Sequence, residues 1–321
     1  MDEESKFILT NRQLYSLTGD YKYMKIIIDN MSEMKILRAI SPGNNDYIFG
    51  AGVFGQLISE MLPWKLRAFV DNDKLLHGTE IYNLPVIPPE EIPKNARIFI
   101  ASRFNQFEII EQLVRLGFQK IFNIGKLLSD MIERQYFEIP EAKRHHENEV
   151  FIDAGCFDGW TTKQFIAWNE HKYRKVLAFE PDENNRKIAL HNLSELIESG
   201  NVELFPFGLW NEKIKLKFSS SGSGSSLHSG EETVDVVALD DQPFAEDITF
   251  IKMDIEGAEY KALLGAEQII RKNKPNLAIC LYHKPEDVFE IPQLILKYRS
   301  DYRFLLRHYW LREYETVLYA V

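Results

Sequence analysis

The chain has 321 residues, more than a single hydrophobic core usually serves, so two domains are expected. Hydrophobic residues make up 45% of the sequence and charged residues 27%, which is ordinary for a globular protein. The net charge of -10 argues against nucleic acid or an anionic membrane as a partner, and no apolar stretch is long enough to cross a bilayer. The acidic start lacks a signal-peptide pattern and the two cysteines form no disulfide framework, so a cytoplasmic location is expected.

The first part of the chain is predicted to be helical and then to form a parallel α/β sheet. Apolar residues recur at helical spacing at Met24, Ile27, Ile28, Met31 and Met34. Short apolar strands then alternate with amphipathic helices, which is the pattern of a parallel sheet covered by helices. We therefore predict an N-terminal helical segment plus a Rossmann-like nucleotide-fold domain over residues 1–140, and a polar linker over 141–148.

A glycine-rich turn follows the first predicted strand of this domain. The spacing Gly50-x-Gly52-x-x-Gly55, with Asp71 ending the next strand, is that of a dinucleotide-binding fingerprint. The fingerprint is weak by itself, and no Tyr-x-x-x-Lys pair follows to supply oxidoreductase chemistry. Three interpretations stay open: a nucleotide or nucleotide-sugar site, a structural or dimerising role compatible with a homodimer, and an NAD(P)-dependent sugar-modifying oxidoreductase or epimerase.

A second α/β domain is predicted over residues 149–321, where the alternation of strands and helices restarts. Its last two strands, YRFLLRHYW and TVLYAV, are joined only by LREYE, which is too short for a crossover helix. They must therefore pair antiparallel. A parallel sheet closed by such a hairpin distinguishes the methyltransferase sheet from an ordinary dinucleotide-binding sheet. The predicted fold class is α/β with two Rossmann-like domains, the second closed by an antiparallel C-terminal β-hairpin.

The most specific local pattern in this domain is FIDAGCFDGW, a strand that ends at Asp153 and a turn with Gly155 and Gly159. A bound nucleotide must approach the backbone at such a turn, and side chains would block it. The next strand ends in Glu180-Pro181, where a carboxylate can accept both ribose hydroxyls. The alternative is that the glycines serve only the turn and that Asp153 caps the helix. The residues predicted to contact a cofactor are Asp153, Gly155, Cys156, Phe157, Gly159, Glu180, Pro181, Gly208, Leu209 and Asp254.

Further acidic residues and a histidine follow two later strands. FIKMDIEGAEY places Asp254 and Glu256 at the crevice that Asp153 and Glu180 also face, and LYHKPED places His283 on its acceptor side. Four carboxylates in one crevice favour a cationic ligand such as a sulfonium. We predict catalytic roles for these three, with His283 as the base because its ordinary pKa suits proton abstraction. The alternatives are that Glu256 only begins a helix and that His283 only packs. The three could also collect a divalent metal, but nothing in the spacing demands one and none is predicted.

The domain over about residues 149–321 resembles the FkbM family of methyltransferases. The resemblance is carried by FIDAGCFDGW, AFEPDENN, the Gly/Ser loop before a strand ending in LDD, and above all IKMDIEGAEYKALLGA. It implies a class I methyltransferase fold, S-adenosyl-L-methionine as cofactor, and methyl transfer mainly to hydroxyl oxygens of sugars or secondary metabolites. A small-molecule or carbohydrate acceptor is therefore expected.

Two details qualify this expectation. Phe157, preceded by Cys156, stands where the family's first motif usually has a small or amide residue between its glycines. If its ring closed the pocket, the chain would be a non-catalytic nucleotide-binding protein, which is the other alternative. The SSSGSGSS stretch is expected to close over the acceptor, because Gly/Ser runs are flexible.

Overall fold

The computed structural model describes residues 1–62, 64–142, 148–219, 226–227, 232–243 and 247–321. The chain forms two compact units. One, which we call the split unit, contains residues 1–27 and 135–321, and the other, the inserted unit, contains residues 28–134. Among the described residues, none of the helices is both long and apolar enough to cross a membrane.

The inserted unit contains a sheet of short strands covered by helices. Its helices are α3 (Ser32–Ala39), α4 (Val53–Met61), α5 (Gln106–Arg115) and α6 (Ile124–Arg134), and α2 (Lys22–Asn30) spans the boundary between the units. Its strands are β1 (Asp46–Phe49), β2 (Ala68–Val70), β3 (Glu80–Ile81), β4 (Leu84–Ile87), β5 (Arg97–Ile100) and β6 (Ile121–Asn123).

The strand order of this sheet is β3-β4-β2-β1-β5-β6. The fully buried β1 pairs in parallel with β2 on one side and with β5 on the other, whereas β3 pairs antiparallel with β4. This confirms the predicted Rossmann-like character of the segment, because buried parallel strands need helices on both faces.

The split unit contains two sheets. Its strands are β7 (Val150–Ala154), β8 (Lys175–Phe179), β9 (Val202–Phe205), β10 (Gly208–Leu209), β11 (Ile214–Ser219), β12 (Ser226–Leu227), β13 (Glu232–Val237), β14 (Phe250–Met253), β15 (Asn276–Cys280), β16 (Phe304–His308) and β17 (Thr316–Ala320). Its helices are α1 (Glu3–Thr18), α7 (Trp160–Trp168), α8 (Glu183–Asn192), α9 (Ser194–Glu198), α10 (Glu259–Leu264), α11 (Glu267–Asn273) and α12 (Asp287–Tyr298).

The larger sheet has the order β16-β17-β15-β14-β7-β8-β9. β7 is central and parallel to β14 and β8, while β17 runs antiparallel to both β15 and β16. The predicted antiparallel hairpin is thus confirmed. The carboxyl ends of the parallel strands β7, β8, β14 and β15 share one edge, so the turns that follow them are neighbours.

The strands on either side of the Gly/Ser stretch belong to the smaller sheet, of order β10-β13-β11-β12, in which β11 and β13 pair antiparallel. They are strands, as predicted, but they do not extend the larger sheet. Residues 220–225 of the Gly/Ser stretch lie outside the described residues, so its expected closure over an acceptor stays a prediction.

The boundaries between the two units differ from the expected ones, both near the N-terminal helix and near the predicted linker. Helix α1 packs on β16, where Ser5 Oγ accepts a hydrogen bond from the Leu306 N–H at 2.8 Å. The buried Arg12 donates to the carbonyls of Leu281 (3.0 Å) and Glu313 (2.7 Å). The first helix therefore belongs to the split unit rather than to the nucleotide-fold domain predicted to follow it.

The predicted linker is likewise partly structured. Phe137, just before it, packs edge-on against Phe151 and Phe250 in the aromatic core of the split unit, and residues 140–142 form a short 3-10 helix. Residues 143–147 lie outside the described part of the chain. The split unit thus begins its second segment at Gln135, before the predicted linker.

Candidate functional site

The turn after β7 has the glycines that the sequence suggested, but packing within the protein is what requires them. Gly155 has φ +73°, and a Cβ there would lie 2.0 Å from the carbonyl oxygen of Asp254. Gly159 has φ +83°, and its Cβ would lie 2.7 Å from Leu193 Cγ. A side chain at either position would collide with the fold before any ligand was bound.

Asp153 does not line the crevice, contrary to the sequence prediction. It is completely buried beneath the turn, where one carboxylate oxygen accepts from Thr162 Oγ1 at 2.8 Å and the other lies 3.2 Å from Lys252 Nζ. Lys252 also donates to the carbonyls of Ala154 (3.1 Å) and Gly155 (2.6 Å). Asp153 and Lys252 therefore hold the turn from below.

Glu180 lies at the end of β8 facing the same turn. Its Oε2 accepts from the Phe157 N–H at 3.0 Å and its Oε1 accepts from the Asp182 N–H at 2.9 Å. Burial raises the pKa of Glu180 to about 7, although both backbone donors act in the opposite direction. Phe157 has a left-handed backbone (φ +50°), and its ring is 37% exposed rather than packed into the turn.

The remaining predicted cofactor residues lie around this turn in different ways. The side chain of Cys156 is buried against Ala178 and Ala189, so only its backbone could meet a ligand, and burial raises the pKa of the thiol. Gly208 lies beside Pro181, whose Cγ would be 3.8 Å from a Cβ at that position. Leu209 is part of the main hydrophobic core.

Asp254 follows β14 and is held by two tyrosines. Tyr136 donates to its Oδ2 at 2.7 Å and Tyr282 donates to its Oδ1 at 3.0 Å. Burial on its own would raise the pKa of Asp254, but Lys252, His283 and these hydrogen bonds outweigh burial and keep the pKa below its ordinary value. Asp254 is therefore an ionised group with little tendency to take up a proton.

His283 follows β15 and lies among three carboxylates. Its Nδ1 is 2.8 Å from Glu259 Oε1, and its Nε2 is 3.4 Å from Asp254 Oδ1 and 3.5 Å from Glu256 Oε2. None of these contacts has hydrogen-bond geometry, so they are charge contacts of a nearly buried ring. Burial alone would lower the pKa of His283, but the carboxylates, Glu259 first, raise it to about 10.

Glu256 is the most open carboxylate of the group, with 31% of its side chain exposed. Burial raises its pKa to about 7, as do the negative charges of Asp254 and Glu259, while His283 and Lys252 lower it. The residue also has a left-handed backbone, with φ +55°. Such a conformation in a non-glycine residue costs about 1–2 kcal/mol.

The cluster has the composition of a metal site. Ligand atoms of Asp254, Glu259 and His283 lie within 4.8 Å of one another. A histidine must be neutral to bind a metal, so an ion here would have to displace the ring proton that the carboxylates stabilise. In the protonated state, the imidazolium balances the charge of these carboxylates.

The structure accounts for most of the glycine motif of the inserted unit by packing. A Cβ at Gly55 would lie 1.8 Å from the Gly50 carbonyl oxygen, and one at Gly50 would lie 3.0 Å from the Ala101 carbonyl oxygen. Asp71 accepts from the Ala51 N–H at 2.8 Å. Of the three glycines in the motif, Gly52 alone has open space where a Cβ would lie. A nucleotide site at these residues stays a prediction.

Several residues of the site were missed in the sequence. Lys252 could have been found, because a charged residue inside the four-residue apolar strand FIKM must have a buried partner. Tyr136 is separated from Asp254 by 118 positions, and no local pattern links the two. Glu259 looked like an ordinary acidic residue in the first turn of a helix.

The strand order of the larger sheet, its antiparallel edge hairpin and the carboxylate opposite the turn after its central strand define a class I methyltransferase fold. The profile of the methyltransferase FkbM domain matches residues 153–306. That part of the chain accordingly belongs to the FkbM family of S-adenosylmethionine-dependent methyltransferases, and S-adenosylmethionine is its cofactor.

Comparison with solved structures supports the fold. The chain is similar to a methyltransferase FkbM from Methylobacillus flagellatus KT, with 19% identity, a TM-score of 0.54 and 99% of each chain covered. It is more distantly similar to an rRNA methylase from Streptococcus thermophilus (17% identity, TM-score 0.35, 56% of this chain and 89% of that one). A third similar structure is a SAM-dependent methyltransferase from Aquifex aeolicus (18% identity, TM-score 0.34, 60% and 92% covered). No curated protein matches the chain.

Proposed function

We propose that the protein transfers a methyl group from S-adenosylmethionine to a hydroxyl oxygen of a small-molecule or carbohydrate acceptor. The observation that supports this best is the cluster after β14 and β15, where a half-open Glu256 lies beside the His283 ring and the ionised Asp254. A hydroxyl is a weak nucleophile and needs a group that takes its proton as it attacks. The net charge of -10 favours an acceptor without a phosphate backbone over RNA.

The residues around the turn fit the cofactor. Glu180 has lone pairs left after accepting two backbone N–H groups, and these could accept the ribose hydroxyls. Asp254 and Glu256 provide negative charge for the sulfonium, which is a cation. When bound, the cofactor supplies an electrophilic methyl group.

Glu256, rather than His283, is our proposed base. A pKa of about 10 keeps His283 protonated near neutral pH, so it has no lone pair to offer, whereas a pKa of about 7 suits Glu256 to the task. As the acceptor oxygen forms its bond to the methyl carbon, the bond from that carbon to sulfur breaks and the hydroxyl proton passes to Glu256. Asp254, which is held by two tyrosines, helps to hold the acceptor and stays ionised.

The test is transfer of a tritiated methyl group from S-adenosylmethionine to a panel of free monosaccharides, nucleotide-sugars, glycans and hydroxylated aromatic compounds, with total RNA as a separate arm. We expect label in at least one hydroxyl compound, and Glu256→Gln should lose about 10²–10⁴-fold in turnover. The control is Glu290→Gln, which removes a carboxylate from α12 outside the cluster. Label in RNA alone, or full activity of Glu256→Gln, would overturn the proposal. Binding of NAD without S-adenosylmethionine, measured by calorimetry, would favour the oxidoreductase alternative.

A further inference from the structure

We propose that Glu259 is a positioning residue, which fixes the position of the His283 ring relative to the Asp254–Glu256 segment. The inference rests on the proposed function, because that function is what requires this relative position. The contacts themselves are independent of it.

One oxygen of Glu259 connects the two chain segments that make up the cluster. Its Oε1 accepts from the Ile255 N–H at 2.8 Å and lies 2.8 Å from His283 Nδ1. Ile255 is the residue between Asp254 and Glu256, so the same atom contacts the turn after β14 and the residue that follows β15. A single fixed oxygen therefore sets the distance between those two turns.

The burial of the Glu259 side chain keeps its carboxylate in one position. It is completely buried, and its Oε2 has no hydrogen-bond partner among the described residues. Burying a carboxylate in this way is costly unless a charged partner compensates it, and His283 is the cation in contact with it. The position is the first residue of α10, a buried helix end from which the side chain has little freedom to leave.

The ring held in this way presents its other nitrogen to the acceptor side. His283 Nε2 lies 3.4 Å from Asp254 and 3.5 Å from Glu256. Two other carboxylates, Asp287 and Glu315, act on the ring through their charge. Asp287 is engaged by the Lys284 N–H at 3.1 Å, and Glu315 is engaged by Gln135. Glu259 differs from both because it touches the ring.

If Glu259 is lost, the ring is free to turn about its side-chain bonds and the turn after β14 loses its anchor. A misplacement of about 1 Å in a reacting group can cost roughly 100-fold in rate. Glu259→Met, which removes both oxygens at similar side-chain length, should therefore lower kcat about 10- to 100-fold. The dissociation constant of S-adenosylhomocysteine, which has no sulfonium for Asp254 and Glu256 to balance, should stay within about threefold.

Nuclear magnetic resonance of protein labelled with 15N-histidine tests the positioning without any acceptor. The His283 ring signals are assigned by their absence in His283→Gln. In the wild-type protein we expect a slowly exchanging Nδ1–H, because that nitrogen is buried against Glu259. Glu259→Met should make this proton exchange rapidly, whereas Asp287→Asn, which changes a buried carboxylate that does not touch the ring, should leave it unchanged. An Nδ1–H signal that exchanges as slowly in Glu259→Met as in the wild-type protein overturns the proposal.

Two further controls separate the possible causes of a negative result. If Glu259→Met does not fold, as judged by circular dichroism, Glu259→Asp keeps the charge but is one methylene too short to reach the ring, and the same loss is expected. If the wild-type protein methylates no hydroxyl compound, the proposed function fails while the exchange of the Nδ1 proton still decides the role of Glu259. Equal losses of kcat in Glu259→Met and Asp287→Asn would show that charge alone matters and would overturn the positioning role.

Discussion

Replacing Lys252 by methionine should destabilise the split unit strongly, because this lysine is the cation beneath the glycine turn. Lys252 is 2% exposed and Asp153 is completely buried, so removing the lysine leaves a carboxylate without its partner in the core. Breaking such a pair costs about 3–5 kcal/mol. The carbonyls of Ala154 and Gly155 lose their charged donor at the same time.

The size of the effect can be converted into a melting temperature. For a unit of the size of residues 1–27 with 135–321, 1 kcal/mol corresponds to about 2–4 °C, so Lys252→Met should melt about 6–20 °C below the wild-type protein. Differential scanning calorimetry measures this shift. The matched control is Lys272→Met on the exposed side of α11, for which a change within about 0.5 kcal/mol is expected.

The double variant Asp153→Asn/Lys252→Met tests the cause. Asparagine removes the orphaned charge and can still accept from Thr162, so the double variant should be more stable than Lys252→Met alone. The reasoning is refuted if Lys252→Met melts within 2 °C of the wild-type protein, or if the double variant recovers nothing.

Three other outcomes are expected. S-adenosylhomocysteine, which carries no sulfonium, should bind more tightly above pH 7 than below it, because the Glu180 carboxylate loses its charge as the pH falls through its pKa of about 7. Below that pKa the affinity should fall by up to about tenfold per pH unit. Calorimetry measures the trend, which should be absent in Glu180→Gln. At saturating cofactor, kcat/KM for the acceptor should fall below about pH 7, where Glu256 becomes protonated, and a fall that begins instead near pH 10 would restore His283 as the base. A fragment of residues 149–321 should fail to bind S-adenosylhomocysteine, because it lacks helix α1 and Tyr136; binding within threefold of the full chain would contradict this.

The strand pattern of the chain was predictable because buried parallel strands have nearly continuous apolar sequences. β7, β8 and β14 are such strands, and the hairpin of β16 and β17 followed from the shortness of its connection alone. The membership of α1 in the split unit was not predictable, since its contact with β16 involves residues about 300 positions apart.

The site was predictable in its positions and less so in its roles. The carboxyl ends of neighbouring parallel strands meet at one edge of the sheet, so the sequence could place four residues there: Glu180, Asp254, Glu256 and His283. Their roles stay predictions. Burial then separates their roles, because it raises the pKa of Glu180 and of Glu256, while three surrounding carboxylates raise that of His283. Such effects depend on distances between segments far apart in the chain, and these distances are absent from a linear pattern.

The discontinuity of the split unit has a consequence for how the protein is made. During synthesis the ribosome releases α1 long before the strand on which it packs, Phe304–His308, because residues of the two that are hydrogen-bonded are 301 positions apart. The inserted unit, residues 28–134, is continuous in sequence and can fold as soon as it is released. An incomplete chain would therefore carry a folded inserted unit together with an α1 whose inward-facing residues, Ser5, Ile8, Asn11 and Arg12, still lack the strand on which they pack. Until Phe304–His308 emerges, that helix is exposed to chaperones, to proteases and to other nascent chains.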